Sequence, residues 1–243
     1  MTVKDIKKAL IEQKNIGLNG NLYHKTQVDF AYNTNHLEGS TITSDETESI
    51  YDTGTILTNK DKVINLKDAT ETKNHFTLFK YMLDTLDEPL TEDLIIKFHF
   101  ILKSGTLKDD EVGIINIGEY KSLKNFVGNI TTSSPKNVST DMKKLLDWYN
   151  KIDNKTVEDI IEFHVRFESI HPFQDGNGRV GRMIIFRECL VNDIMPFYIE
   201  ERNKPFYIRG IKEYQTNNEK GYLIDTCLNS QDNYEKLAKY FLE

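Results

Sequence analysis

Two cysteines, one tryptophan and five prolines in 243 residues rule out several kinds of architecture at the start. Cys189 and Cys227 stand in apolar contexts without metal or redox spacing, which excludes a disulfide framework and leaves buried, reduced thiols as the expectation. No run of 18 apolar residues occurs, so no membrane-spanning helix is expected. The first fifteen residues, MTVKDIKKALIEQKN, carry a charge every few positions and lack the apolar stretch of a secretion signal, so a cytoplasmic location is expected. Positive charge is also short: the formal net charge is −7, which argues against a protein that coats nucleic acid through its phosphates. Arginine is scarce in a telling way. All six arginines (Arg166, Arg179, Arg182, Arg187, Arg202, Arg209) fall in one stretch, whereas lysines run from Lys4 to Lys239. A chain that uses lysine for its surface has gathered its planar, bidentate donors together, for an anion or for a buried ion-pair network.

What remains reads as helix. Val3, Ile6, Leu10 and Ile11 share a helical face that Gly17 closes. A second helix is expected from about Gln27 to Glu38, with Gly39 ending it, and Thr43 to Glu46 spell a capping box for the next. Further helices are expected over Lys73 to Leu86, after Thr91 as an N-cap up to Gly105, over Ser139 to Ile152, over Thr156 to Ile170, after the segment 171–178, and in the tail from Ser230. Between Gly113 and Pro135, β-branched residues, glycines and a Ser/Thr/Pro cluster point instead to extended chain and a hairpin turning near Gly128 and Asn129. No repeat, low-complexity tract or linker divides the chain. It is expected to be one structural unit, with an N-terminal helical region (1–60), a core (61–200) and a C-terminal helical extension (201–243).

The twelve residues HPFQDGNGRVGR, 171 to 182, hold the chemistry. One helix ends near His171 and another begins near Asn177, so the free first-turn amides of the second helix face the intervening loop. Such a terminus attracts anions. Gly176 and Gly178 are expected to allow positive φ and a close approach of backbone to ligand. Arg179 and Arg182, three apart, can clamp further anionic oxygens. Asp175 has no reason to face a phosphate unless a divalent cation, Mg²⁺ above all, bridges them. Histidine, whose ordinary pKa of about 6.5 suits it to take a proton at neutral pH, makes His171 the candidate general base for a hydroxyl nucleophile. Phe173 and Pro172 are expected to seat the loop. The whole suggests attack by a hydroxyl on a nucleotide phosphate. His164 is expected to pack near His171 in a supporting position, and His75 and His99 receive no role.

The same twelve residues match at every defined position the HPFx[D/E]GNGRxxR signature, and the chain resembles the Fic (filamentation induced by cAMP) family, from GEY at Gly118 through the hairpin and LLDWYN to the helix after the motif. The resemblance implies an all-α Fic fold, a helical bundle with a small β-hairpin flap over the active site. It implies a Mg²⁺- and ATP-dependent nucleotidyltransferase that transfers AMP to a Ser, Thr or Tyr hydroxyl of a target protein or of itself. By position, His171 would deprotonate the hydroxyl, Asp175 would hold Mg²⁺, and Gly176, Asn177 and Gly178 would form the anion hole. Arg179 and Arg182 would bind the outer phosphates. Val127, Gly128, Asn129, Ile130, Thr131 and Thr132 resemble the flap that aligns the target by strand addition, and Tyr207 resembles the family's aromatic near adenine. Two positions depart from the pattern: Lys121 stands where many relatives have arginine, and Gly128-Asn129 replaces the usual Gly-Gly. They bear on target and flap geometry.

TNHLEG, Thr34 to Gly39, is similar to the family's inhibitory motif [S/T]xxxE[G/N], and its place before the core resembles the class with an N-terminal inhibitory helix. Glu38 would then compete with ATP for Arg182, with Thr34 holding the glutamate or its helix. Three other readings stay open. One is removal of AMP from a modified protein at the same site; another is a non-catalytic nucleotide sensor. A Doc-like phosphotransferase is the third, and Gly178 speaks against it. The target and the oligomeric state are not legible.

Overall fold

A computed structural model of the chain describes residues 1–56, 58, 62–107, 116–127 and 130–243. Among them are ten α-helices: α1 (Val3–Ile16), α2 (Leu22–Leu37), α3 (Ser44–Thr53), α4 (Leu66–Asp84), α5 (Glu92–Lys103), α6 (Val138–Tyr149), α7 (Val157–Ile170), α8 (Asn177–Val191), α9 (Lys204–Asn217) and α10 (Gly221–Leu242). The expected hairpin is present as a minor addition. Strands β1 (Phe126–Val127) and β2 (Ile130–Thr131) pair antiparallel, Phe126 opposite Thr131 and Val127 opposite Ile130. The expected turn residues Gly128 and Asn129 lie outside the described residues. No described helix is long and apolar enough to cross a membrane.

The helix ends follow local chemistry. Thr43 accepts the Glu46 amide at 3.2 Å while Glu46 accepts the Thr43 amide at 2.8 Å, the capping box expected for α3. Thr156 and Asp159 form another at the start of α7. Gly17 ends α1 with φ 70°. Three helices start earlier than expected. Asn21 caps α2 by accepting the His24 amide at 2.9 Å, so α2 starts at Leu22 rather than Gln27. Asn65 does the same for α4 through the Lys67 amide at 2.9 Å, so α4 starts at Leu66, seven residues before Lys73. Helix α10 begins at Gly221 rather than Ser230. Helix α9 was not expected, because Pro205 and Gly210 disguise it. The proline stands in the first turn, where its missing N–H is not needed. Gly210 lets α10 approach: a β-carbon there would lie 2.8 Å from Leu223 Cα and 2.9 Å from its amide nitrogen.

Helix α8 is the axis of the bundle, buried from Arg179 to Leu190 on every side. Helix α2 packs along it in the opposite direction. Phe30 meets Phe186 with ring centroids 5.4 Å apart, and Phe79 of α4 meets Phe186 at the same distance. Each of these rings is fully buried, and such burial stabilises by roughly 1.5–3 kcal/mol per side chain. The consequence lies eight residues away in each chain direction: the C-terminus of α2 is brought to the first turns of α8. Cys189 and Cys227 are buried free thiols, as expected, and burial pushes both above the ordinary thiol range.

Three histidines sit inside this packing. Burial lowers His75 from 6.5 to about 3, and lowers His99 and His164 from 6.5 to about 4. Since the unfolded chain takes up these protons first, stability is complete above about pH 6.5 and falls as pH drops towards about 4. Thermal midpoints measured at constant ionic strength should therefore decline steadily as pH falls across that interval. Gly210→Ala should destabilise by up to about 2 kcal/mol in urea unfolding, because an overlap with Leu223 costing about 1–3 kcal/mol outweighs the gain of roughly 1 kcal/mol in helix propensity.

Candidate active site

The loop between α7 and α8 is held by its own side chains. His171 closes α7 in the left-handed region (φ 51°), its amide donating to Phe167 O at 2.8 Å. Phe173 is fully buried and stacks on the His99 imidazole with centroids 3.9 Å apart and planes within 4°. Asn177, 1% exposed, closes the loop at both groups of Phe173: its Oδ1 accepts the Phe173 amide and its Nδ2 donates to Phe173 O, both at 2.8 Å. The Gly118 amide donates to His99 Nδ1 at 3.1 Å, so Nε2 carries the ring proton and donates to Asp175 O at 3.1 Å. His99, which sequence left without a role, is thus the post on which the loop is mounted.

Helix α8 opens without a side-chain cap and without an acid in its first turn. Its first intrahelical bond runs from the Val180 amide to Gly176 O at 3.1 Å, so the amides before it have no helical partner. Gly176, at φ 86°, is the one glycine of the pair that needs positive φ; Gly178 lies within α8 and does not. Its missing β-carbon serves space instead. A β-carbon at 178 would collide with Glu38 Oε1 and lie 2.8 Å from Arg182 Nη1.

Around this terminus the charges alternate. Arg179 pairs with Glu71 of α4 and stands 3.4 Å from Asp175 Oδ1. Lys103 of α5, 2% exposed, pairs with the same Glu71 and with Asp175 Oδ2 at 2.7 Å, and Lys67 reaches that oxygen at 3.0 Å. Burial raises the pKa of Asp175, but Lys103, Arg179 and Lys67 outweigh it and hold the carboxyl well below its ordinary value. Arg182, 4% exposed, donates from Nε to Thr34 Oγ1 at 2.6 Å and from Nη2 to Thr34 O at 3.2 Å, and pairs with Glu38. A cavity of about 220 Å³ lies beside this array, lined among others by Asn35, Glu38, Glu71, Asp175 and Arg179.

Thr34 and Glu38 of the α2 end thus meet the start of α8, and Tyr207 packs behind them, with three changes of part; of the expected flap, Gly128 and Asn129 lie outside the described residues. Thr34 binds Arg182 rather than Glu38. The side chain of Asn177 is occupied with the loop, leaving its backbone amide for an anion. Tyr207 is 4% exposed and its hydroxyl lies 2.6 Å from His164 Nε2, with its ring 5.9 Å from the Arg182 guanidinium carbon. It offers no open face for adenine and supports Arg182 from behind. Of the hairpin, Thr132 is buried and Thr131 exposed, and Lys121 fixes its base. The Lys121 ammonium donates to Asn125 Oδ1 at 2.6 Å, Thr132 Oγ1 at 2.8 Å and Ile170 O at 3.1 Å, and burial lowers its pKa to about 8. Its amide donates to Pro172 O at 2.8 Å, tying hairpin to loop.

Glu71 and Lys103 were missed because nothing near them in sequence marks them; only the packing of α4 and α5 on α8 does. The gathering of arginines was only partly a site signal. Arg187 holds Glu188 and the carbonyls of Thr85 and Glu88, and Arg166 lies 3.9 Å over the Trp148 ring.

Asp175, 39% exposed at its side chain, could offer a divalent cation one carboxylate at the edge of this cavity, whose lining also holds Glu38, Asp68 and Glu71 beside Lys67 and Arg179. Magnesium is commonly held in this way, by one or two carboxylates with the phosphates completing the shell. Lys67 and Lys103 neutralise the carboxylate meanwhile. A second group, His24, Glu48 and Asp52, has metal-like spacing. There the Gly20 amide donates to His24 Nδ1 at 3.1 Å, so Nε2 bears the proton and donates to Asp52 at 2.9 Å, which leaves no nitrogen for a metal.

Residues 89–188 match the Fic/DOC family. The chain is 25% identical over 172 residues to the protein adenylyltransferase fic-1 of Caenorhabditis elegans, covering 68% of this chain and 32% of that protein. It is 28% identical over 166 residues to the protein adenylyltransferase Fic of Nematostella vectensis, covering 63% and 35%. The chain therefore spans roughly a third of the length of these curated relatives. A Fic-domain-containing signalling protein of Bacteroides thetaiotaomicron shares the fold at a TM-score of 0.75 and 24% identity, with 96% of both chains covered. Fic-1 of C. elegans, residues 134–508, does so at 0.71 and 16%, covering 98% of this chain and 72% of that one. Fold, loop and signature agree: residues 89–188 of this chain are a domain of the Fic/DOC family.

Proposed function

We propose that the protein transfers AMP from ATP to a side-chain hydroxyl of a target protein or of itself, and that its own α2 restrains the reaction. One observation carries the reading: the Glu38 carboxylate sits on Arg182, against Gly178, at the uncapped start of α8. That is where an anionic oxygen belongs, and a carboxylate of the chain already stands there.

In this reading His171 takes the proton of the target hydroxyl, whose oxygen attacks the α-phosphorus of ATP while pyrophosphate leaves. The amides of Asn177 and Gly178 and the guanidinium of Arg179 hold the phosphate oxygens and stabilise the charge that develops on them. Mg²⁺, held by Asp175, would supply further neutralisation of the phosphates when bound. The hairpin 126–131, anchored through Lys121, would align the target backbone beside the loop as an added strand. Residues 1–60 would form the regulatory part, 61–200 the catalytic core, and 201–243 a support that reaches Arg182 through Tyr207.

The restraint is a competition for Arg182. While Glu38 holds it, the outermost phosphate loses that contact, and the triphosphate lies out of line with the attacking oxygen. Misplacement by about 1 Å can cost on the order of 100-fold in rate. Glu38→Gly is expected to raise incorporation of labelled AMP from ATP and Mg²⁺ by roughly that factor, and His171→Ala in the same background to abolish it. Incorporation by Glu38→Gly at the unsubstituted rate would sink the restraint; incorporation by the double variant would sink the role of His171.

A further inference from the structure

Behind His171 lies a buried polar cluster that the proposed reaction leaves unused. Glu168 and His171 are three apart on the last turn of α7, and Glu168 is only 7% exposed. Glu168 Oε2 lies 3.5 Å from His171 Nδ1, which has no nearer partner; Glu168 Oε1 and His164 Nδ1 are likewise buried without hydrogen bonds. Helix α8 makes room for the cluster with Gly181, where a β-carbon would lie 2.7 Å from His164 Nδ1 and 3.2 Å from Glu168 Oε1.

A glutamate here does little for stability. The C-terminal end of a helix disfavours acids, and a buried carboxylate oxygen without a donor costs about 1–3 kcal/mol. Burial pushes Glu168 up, but the neighbouring His171, His164 and Arg182 outweigh it and hold it below the ordinary carboxylate value. It is therefore an acceptor, facing His171 and His164 from α7, Arg182 from α8 and Tyr207 from α9, with Glu38 beyond His164. His164 is neutral at pH 7, and its other nitrogen is engaged with the Tyr207 hydroxyl at 2.6 Å. Two imidazole nitrogens near Glu168 lack a hydrogen-bond partner, His164 Nδ1 and His171 Nδ1, and of the two it is His171 Nδ1 that stands 3.5 Å from a Glu168 oxygen.

We propose that Glu168 is the positioning residue for His171: it accepts the Nδ1–H, fixes the tautomer whose lone pair is on Nε2, and stabilises the imidazolium that forms when the proton arrives. This rests on the reading of His171 as the base. At 3.5 Å the pair is longer than a made hydrogen bond, and in this proposal it closes when substrate is bound. The step balances without Glu168 gaining a proton. The hydroxyl proton passes to Nε2, the hydroxyl oxygen bonds to the α-phosphorus, and the bond from that phosphorus to the bridging oxygen breaks with its electron pair leaving on pyrophosphate.

Long-range ¹H–¹⁵N correlation spectra of the histidine-labelled, otherwise unsubstituted chain test this directly, with His171 assigned by its loss in His171→Ala. The expected result is the Nδ1–H tautomer above neutral pH; the Nε2–H tautomer would overturn the proposal whatever the enzyme assay gives. In the Glu38→Gly background, Glu168→Gln should lower kcat by about 100-fold, leave the KM for ATP within about twofold, and move the acid limb of the rate profile to lower pH. Unchanged kcat and an unchanged profile would also overturn it. A double variant Glu38→Gly, His171→Ala that still incorporates AMP defeats the base reading itself, a different failure from that of Glu168. If Glu168→Gln does not fold, the tautomer in the unsubstituted chain decides.

Discussion

Three cations, Arg179, Arg182 and Lys103, are buried around the first turn of α8, and a buried charge must be neutralised by a partner. The rest of the site follows from that need. Helix α4 contributes Glu71, the loop contributes Asp175, and the end of α2 contributes Glu38. Of these carboxylates, Glu38 occupies the position at Arg182 that a phosphate oxygen would take in the proposed reaction. In that reaction a triphosphate would enter a region already in electrostatic balance and would bind by displacing a group of the chain. Glu71 is 4% exposed and held by two cations, so it stays; Glu38, 38% exposed at its side chain and held by one, is the carboxylate most easily displaced.

The legible part of this site was its contiguous part. The twelve residues from His171 to Arg182 carry base, acid, glycines and arginines within one loop and one helix start, where short-range geometry decides their arrangement. Thr34 and Glu38 were visible because they share one turn of a helix. Glu71, Lys103 and His99 were not, since they reach the loop only through the packing of α4 and α5, which leaves no local mark. The same limit governed the helices. Starts marked by a capping box or a threonine cap, as at Thr43, Thr91 and Thr156, were placed correctly, while those capped by Asn21 and Asn65 were placed late. Helix α9 was hidden by a proline suited to a first turn and by a glycine whose reason lies on another helix.

Glycine within helices carries more of the design here than glycine in turns. Gly178 and Gly181 open two notches on α8, one turn apart. The first admits Glu38 and the Arg182 guanidinium, and the second admits His164 and Glu168. Alanine, the better helix former by about 1 kcal/mol, would close either notch, so local propensity has yielded to what must lie against the helix.

The antiparallel seating of α2 on α8 also makes α2 a lever. Its shaft is clamped by Phe30 against Phe186 and by Thr26, whose hydroxyl lies 2.9 Å from that of Tyr234, while Glu38 rides at the tip. From Thr26 to Glu38 the arm is about 18 Å long at 1.5 Å per residue. A tilt of roughly 4° about the clamp would carry the tip about 1.3 Å, enough to part a carboxylate from a guanidinium. The ties along the arm, from the Glu201 amide to Asn33, from Asn35 to Thr72 and from Lys204 to the His36 carbonyl, are what such a tilt has to stretch.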